Sequence, residues 1–308
     1  MKTFSSIPDF PLETKTIITI GTFDGVHLGH SVILNRLNAI TEKTKMQSVL
    51  LTFFPHPRHV LQKTDQNMKL INTLDEKKIL LEKSGLNNLV VQEFTKEFSR
   101  IQSANFVRDY LVEKLNLHTL VIGYDHHFGR NREGSIKELT VLSEIYGFNI
   151  EMISPQIFED VAVSSTKIRK LLEKGEIEQA NHYLGYTFFI FGKVIRGNAI
   201  GKTIGFPTSN IEIENKWKLY PAEGVYAVQV ILEERTYKGM MNIGNRPTVE
   251  GDKKTLEVHL LDFSEDIYEK QLQIKFIKKI REEKKFENLD ALKQQLIIDK
   301  NKVEHLIG

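Results

Sequence analysis

Lys15-Thr-Ile-Ile-Thr-Ile20-Gly21-Thr-Phe23-Asp24-Gly25-Val-His27-Leu-Gly29-His30 decides how the first half of this chain folds. An apolar, β-branched run stops at a glycine, and a helical pattern over Ser31–Lys43 begins directly after the second histidine. Glycines at 21, 25 and 29 let backbone approach a ligand closely, and the helix N-terminus that follows offers free N–H groups and a positive dipole end. Strand, glycine turn and helix together make a phosphate-binding layout. His27 and His30 lie on one face of the first helical turn, where imidazoles can donate to phosphate oxygens. For two histidines alone, a capping accident or a metal pair is the competing reading, but no third ligand stands nearby in sequence.

On either side of this stretch the same alternation continues. Ser48–Phe54, Asn88–Phe94, Thr119–Gly123 and Asn149–Ile153 read as buried strands, and Leu74–Ser84, Ser103–Leu115 and Ile136–Tyr146 as helices. Strand–helix alternation with few hairpin signals implies an α/β, doubly wound parallel sheet covered on both faces. In such sheets ligands sit at the carboxyl ends of the strands where strand order reverses, which singles out the loops after Ile20, Phe54 and Ile122. The second of these loops carries Pro55-His56-Pro57-Arg58. The third carries Tyr124-Asp125-His126-His127-Phe-Gly129-Arg-Asn131-Arg132. Eight of the ten histidines precede residue 185, and six of those eight fall in these loops or in the turn at His27.

Near Gly185 the period changes. Tyr186–Ile195, Phe206–Ile213, Val225–Leu232, Thr236–Ile243, Leu256–Phe263 and Leu272–Ile280 read as strands with turns between them, followed by an amphipathic helix at Leu289–Asp299. The pattern predicts a small antiparallel six-stranded β-barrel with a terminal helix, and domains spanning 1–185 and 186–308. Gly197-Asn-Ala-Ile-Gly201-Lys202-Thr203 imitates a phosphate-binding Walker loop. It has three residues between its glycines instead of four, and Pro207 stands where the helix should run, so that reading is rejected. Thr208 and Asn210, two apart on an extended segment, put two oxygens on one face, a pair that suits Mg²⁺.

Composition narrows the chemistry further. The chain has 308 residues, 41% hydrophobic and 27% charged, which gives room for two ordinary globular domains. It contains no cysteine, which excludes disulfides, thiolate metal sites and cysteine nucleophiles and fits a cytoplasmic setting. Net charge is +2, balanced in both halves, without the basic excess of a nucleic-acid binder, and no long apolar run suggests a membrane segment. The segment at 275–285 is basic, but interrupted by glutamates and alternating with apolar residues, and reads as a half-buried strand. Small-molecule substrates, no nucleic acid, no membrane, and a monomer or weak homo-oligomer are the expectations.

The His27-Leu-Gly29-His30 segment resembles the H-x-G-H signature of the nucleotidylyltransferase superfamily. Val163-Ser164-Ser165-Thr166-Lys-Ile-Arg169 resembles its Ser-Ser-Thr-x-x-Arg element. Gly201-Lys202-Thr-Ile-Gly205-Phe206-Pro207-Thr208-Ser-Asn210 resembles the signature of riboflavin kinases. Pro221–Ala227, Asn242–Thr248 and Glu257–Phe263 match that family's further segments. Motif order over the whole chain resembles the prokaryotic bifunctional riboflavin kinase/FAD synthetase family. The resemblance implies a Rossmann-like adenylyltransferase domain converting FMN and ATP to FAD and pyrophosphate, then a barrel phosphorylating riboflavin with MgATP.

By that resemblance, Gly21, Phe23, Asp24, Gly25, His27, Gly29, His30, Ser164, Ser165, Thr166 and Arg169 hold ATP, with His27, His30 and Arg169 acting on the reacting phosphates. Pro55, His56, Pro57, Asp125, Asn131 and Arg132 hold FMN. In the barrel, Gly201, Lys202, Gly205, Phe206, Pro207, Thr208 and Asn210 hold ATP, and Thr208 and Asn210 hold Mg²⁺. Asn242, Glu257 and Arg281 meet the flavin, flanked by Glu283 and Phe286, and Glu257 is the catalytic base. Where many members have Phe-Arg, this chain has His126-His127. An adenylyltransferase for another phosphorylated acceptor and a non-catalytic flavin or nucleotide binder are the competing readings.

Overall fold

The computed structural model describes residues 1–61, 68–123, 134–154, 163–196, 204–248 and 251–308. They form two compact units, Met1–Ser164 and Ser165–Gly308. The first contains strands β1 (Lys2–Phe4), β2 (Thr16–Ile20), β3 (Gln47–Phe54), β4 (Asn88–Glu93), β5 (Leu117–Gly123) and β6 (Asn149–Ile153), in spatial order β1-β4-β3-β2-β5-β6. All pairings are parallel. Helices α1 (Leu28–Thr44), α2 (Pro57–Leu61), α3 (Leu74–Lys83), α4 (Ser103–Asn105, continuing as a π-helix over Phe106–Val112) and α5 (Ile136–Tyr146) supply the cover.

Alternation along each strand distributes the cover between the two faces. Ile17, Leu50 and Leu89 meet Leu34 and Leu37 of α1 and Leu81 of α3. Ile18, Val49 and Val90 point the other way, into Phe106, Leu111 and Leu139. The sheet is therefore doubly wound, as its sequence implied. From β2 the chain steps outward to β3 and β4 on one side and to β5 and β6 on the other. Strand order thus reverses beside the carboxyl ends of β2 and β5, where a crevice opens in this class of sheet. The edge strand β1 carries no sequence signal, and the helix expected over Ser103–Leu115 widens to a π-helix through its middle.

The second unit begins with α6 (Ser165–Lys174) and α7 (Ile177–Leu184). Strands β7 (Phe189–Ile195), β8 (Ser209–Glu212), β9 (Gly224–Leu232), β10 (Arg235–Thr248), β11 (Gly251–Leu260) and β12 (Gln271–Arg281) follow, and α8 (Leu289–Ile307) ends it. The strands close into an antiparallel barrel in the order β10-β11-β8-β7-β12-β9. Tyr226, Val228, Met241, Ile243, Val258 and Ile274 fill its interior and are fully buried, so the barrel is a packed core. Polar positions between them turn outward. On the outside, Val303 of α8 packs with Phe206, Ala227, Met240 and Leu261.

Helices α6 and α7 are bound to the rest of this unit by one main-chain hydrogen bond and by the Asn181 side-chain amide. Ala222 N donates to Leu172 O at 3.0 Å. Asn181 donates to Phe276 O at 2.9 Å and accepts from Phe188 N at 2.7 Å. The packing division at Ser164/Ser165 and the sequence-predicted boundary near Gly185 differ by these two helices.

Candidate active sites

In the first unit, Gly21 continues the β2–β3 pairing, its N–H donating to Leu51 O at 3.1 Å, and the chain then turns sharply. Phe23, Gly25 and Val26 have φ of 47°, 90° and 37°. For a β-branched residue such as Val26 that conformation is costly and persists only where surroundings enforce it. Asp24 supplies part of the enforcement. It is buried, and its Oδ1 accepts from Ile71 N at 3.0 Å and Asn72 N at 3.4 Å, tying the turn to the segment before α3. The φ of 90° itself favours glycine at residue 25, and a Cβ there would come within 2.9 Å of Ile71 Cδ1, so the end of that side chain would have to shift.

His27 is the N-cap residue of α1, and its carbonyl accepts from His30 N at 2.8 Å and Ser31 N at 3.0 Å. The two imidazoles stack with centroids 3.7 Å apart, and His30 stacks in turn on Phe23 at 4.4 Å. The Nδ1 atoms of both histidines are buried with no hydrogen-bond partner among the described residues. Buried polar atoms are normally satisfied, so two orphaned imidazole nitrogens at a helix N-terminus mark a place for a polar ligand. Burial, against a smaller opposing pull from Asp24, pushes His27 down to about 4. Burial, then His27 and the Lys77 ammonium, hold His30 well below the ordinary imidazole value. Both rings are neutral at pH 7. A Cβ at Gly29 would lie 3.2 Å from His27 Nδ1 and Cε1, so any side chain there would press on the stacked His27 ring.

Among the other predicted residues of this site, Pro55, His56 and Pro57 stand at the carboxyl end of β3, with His56 Nδ1 accepting from Arg58 N at 3.2 Å. Pro55 also lines a cleft of about 550 Å³ with Phe54, Lys78 and Glu93. Asp125, Asn131 and Arg132, with His126 and His127, lie outside the described residues. Ser164 ends the first unit; Ser165, Thr166 and Arg169 lie in the first turns of α6 in the second. Lys77 adjoins this loop, and its burial there was not evident from sequence. It is 7% exposed, and its ammonium donates to Thr22 O at 2.5 Å from beneath the loop.

The second group is ordered by strand register. Asn210 of β8 pairs with Glu257 of β11, Glu257 with Asn242 of β10, Asn242 with Val225 of β9, and Val225 with Arg281 of β12. Residues directly opposite each other share a face, so Asn210, Glu257, Asn242 and Arg281 form one row across the outside of the barrel. Leu256, Val258 and Leu260 take the inward positions. Thr208 joins the row by donating its hydroxyl to Glu257 Oε2 at 3.3 Å.

The loop before β8 is fixed by His259, two residues beyond Glu257. Its Nδ1 lies 2.7 Å from Pro207 O, and since a carbonyl only accepts, Nδ1 carries the proton. The His259 ring also meets Phe206 edge to face at 5.3 Å. Gly205, with φ of 84°, makes the turn into this loop, and Gly201 and Lys202 lie outside the described residues. Arg281 is held by Asp299 of α8. Its Nε donates to Asp299 Oδ2 at 2.8 Å, and Gln295 donates to Oδ1 at 2.9 Å. Asp299 is fully buried, and its role was not evident from sequence.

Among the described residues, no cluster of three or more His, Asp or Glu side chains could hold a metal ion. The oxygens of Thr208, Asn210 and Glu257 are a different set. They fit a hard cation that takes few protein ligands and completes its shell with water and phosphate.

A doubly wound parallel sheet with two orphaned imidazole nitrogens at a helix N-terminus, followed by a closed barrel with Glu257 in an outward row of polar side chains, is an architecture suited to a nucleotide-using transferase with two sites. Residues 10–167 match the FAD synthetase family model and residues 184–307 the riboflavin kinase model. The bifunctional riboflavin kinase/FMN adenylyltransferase of Escherichia coli is 36% identical over 95% of this chain and 93% of its own. That of Haemophilus influenzae is 37% identical over 91% and 90%, and that of Bacillus subtilis 34% over 94% and 91%. A crystal structure described as a macrolide-efflux protein from Streptococcus pneumoniae superposes with a TM-score of 0.90, at 27% identity over 98% of both chains. Among the described residues of this chain, no helix is long and apolar enough to cross a membrane. The chain belongs to the family of bifunctional riboflavin kinases/FMN adenylyltransferases.

Proposed function

We propose that the chain makes FAD from riboflavin in two transfers, at the two groups of residues described above. The observation that carries the kinase half is the single row Asn210, Glu257, Asn242 and Arg281, with the Thr208 hydroxyl on Glu257. The Glu257 carboxylate takes the proton of the terminal ribityl hydroxyl as its oxygen attacks the γ-phosphorus of ATP. The new O–P bond forms as the bond to the β,γ-bridging oxygen breaks, giving FMN and ADP. Thr208 and Asn210 would hold Mg²⁺, which neutralises phosphate charge when bound. Gly205, Phe206 and Pro207, with Gly201 and Lys202, shape the nucleotide loop. Asn242 and Arg281 orient the flavin.

In the adenylyltransferase half, an FMN phosphate oxygen attacks the α-phosphorus of ATP, and the bond to the α,β-bridging oxygen breaks to release pyrophosphate. No protein nucleophile is required; catalysis is positioning and charge stabilisation. The turn at Gly21–Gly25, the α1 N-terminus, His27 and His30 receive the phosphates. Ser164, Ser165, Thr166 and Arg169 are assigned to the same nucleotide on their motif, which keeps the functional boundary near Gly185. Pro55, His56 and Pro57, with Asp125, Asn131 and Arg132, are assigned to FMN. Small molecules are the substrates, and a cytoplasmic monomer or weak homo-oligomer that binds no nucleic acid is part of the same proposal.

The test is a time course with riboflavin, ATP and Mg²⁺, the flavins being resolved by chromatography. FMN followed by FAD is expected. FMN alone would remove the adenylyltransferase assignment, and unchanged riboflavin would leave a binding protein.

A further inference from the structure

The reading of the Gly21–His30 loop as the ATP site leaves one buried charge without a task. Lys77 stands on α3, directly after the capping box in which the Thr73 hydroxyl accepts from Glu76 N and the Glu76 carboxylate accepts from Thr73 N. The capping box turns Glu76 away toward Thr73. Lys77 points at the underside of the loop, where its ammonium donates to Thr22 O. The groups facing it are Asp24 on the loop and His30 on α1. Both histidines are neutral near pH 7, so among these described neighbours the positive charge rests on Lys77.

The loop needs such support. Two non-glycine residues in it, Phe23 and Val26, hold positive φ. The Asp24 carboxylate ties one side of the loop to Ile71 and Asn72, just before α3, and Lys77 ties the other side to α3 itself. A buried carboxylate and a buried ammonium on the same few residues offset each other's cost of desolvation. A neutral residue at 77 would take the ammonium away from Asp24 and meet an incoming polyanion with net negative charge on the loop.

We propose that Lys77 is a positioning residue for adenylyl transfer: it holds the Gly21–His27 loop through the Thr22 carbonyl, and its charge makes the loop receptive to the triphosphate of ATP. The proposal rests on the ATP reading of that loop and adds to it a residue outside the motif.

The full-length protein carries its own internal control, since riboflavin phosphorylation and FMN adenylylation can be measured on one preparation. Lys77→Met keeps most of the stem and removes the charge. It should raise KM for ATP in FAD formation at least tenfold, with KM for FMN and the riboflavin kinase rate within twofold of the parent. Lys77→Arg, which restores a cation, should recover most of the loss. An unchanged KM for ATP in Lys77→Met, or equal losses in Lys77→Met and Lys77→Arg, overturns the proposal.

A readout on the unmodified protein covers the case in which Lys77→Met does not fold. Burial, partly offset by Asp24, pushes the Lys77 ammonium down to about 8. FAD formation should therefore lose kcat/KM for ATP as pH rises through about 8, while riboflavin phosphorylation does not. A loss that appears equally in riboflavin phosphorylation overturns the proposal, since Lys77 then has no selective effect on adenylyl transfer. His30→Ala separates the two levels. If it abolishes FAD formation while Lys77→Met is indifferent, the loop is the ATP site and Lys77 is not its support. If both variants are indifferent, the ATP reading itself fails.

Discussion

Glu257 is placed at an outward position by the alternation of Leu256, Val258 and Leu260, and a neighbouring hydroxyl comes to it across the strands. Removing its carboxylate should therefore cost chemistry more than stability. Glu257→Gln should lower the rate of FMN formation from riboflavin by about 10²–10⁴-fold, the range for a lost general base, and leave FMN adenylylation intact. His27 makes the opposite case, a side chain whose burial is itself measurable. Its folded pKa, about 4, lies below the unfolded value, so below about pH 6.5 the unfolded chain binds a proton that the folded chain refuses. Stability is fully present above that pH and falls as pH drops toward 4, by about 3 kcal/mol for this ring. His30, displaced in the same direction, adds to the fall. Urea unfolding at pH 7 and pH 5 checks this, and His27→Gln should flatten the difference.

Besides the apolar packing of Val303, helix α8 is tied to β12 by a fully buried carboxylate. Asp299 takes Arg281 and Gln295 on its two oxygens, so Asp299→Ala leaves the Arg281 guanidinium on the barrel wall without its partner on α8. Losing one member of a buried pair costs roughly 3–5 kcal/mol, and the loss should appear in chemical unfolding together with a slower riboflavin kinase reaction. Turn residues give a second contrast. Gly25→Ala meets Ile71 at 2.9 Å with φ of 90°, whereas Gly147→Ala, at the end of α5 with φ of 71°, meets nothing within 4 Å. Both should destabilise, Gly147→Ala by about 1 kcal/mol and Gly25→Ala by more, with FAD formation impaired only in the second.

The strands and helices that sequence located were those with a clear period. β2 through β6 alternate with helices, and the six barrel strands are spaced by turn residues, so both architectures are legible in the sequence. Elements without a period were not. β1 is three residues in a Pro- and Ser-rich start, and it exists because β4, far along the chain, offers it an edge. Helix α8 runs on to Ile307, past the expected end at Asp299, because Val303 and Ile307 pack with Phe206 and Met240. Lys77 was hidden by its neighbours. In Asp75-Glu76-Lys77-Lys78 a lysine reads as solvated surface, and only the tertiary placement of α3 beneath the Gly21 turn buries it. The row on the barrel was half readable, because each residue belonged to a motif but their alignment is a property of register.

Two transfers on one chain also make a prediction that neither site makes alone. FMN is the complete product of one reaction and a complete substrate of the other, and no covalent intermediate with the protein is needed in either. Damage to one site should therefore be repaired by another molecule. Glu257→Gln, given FMN and ATP, should form FAD at the parent rate, and given riboflavin should form it only at the slow rate of its impaired first step. His30→Ala, given riboflavin, should accumulate FMN and stop there. Mixed in equal amounts with riboflavin, ATP and Mg²⁺, the two variants should make FAD after a lag, which shortens as the concentration of the His30→Ala protein is raised, because free FMN must first build up to the KM of the second reaction. Chromatography of the flavins over time checks each step. FMN that accumulates in the mixture without turning into FAD would mean that the intermediate passes only between sites of the same chain, and that the two halves act as one catalyst and not as two joined enzymes.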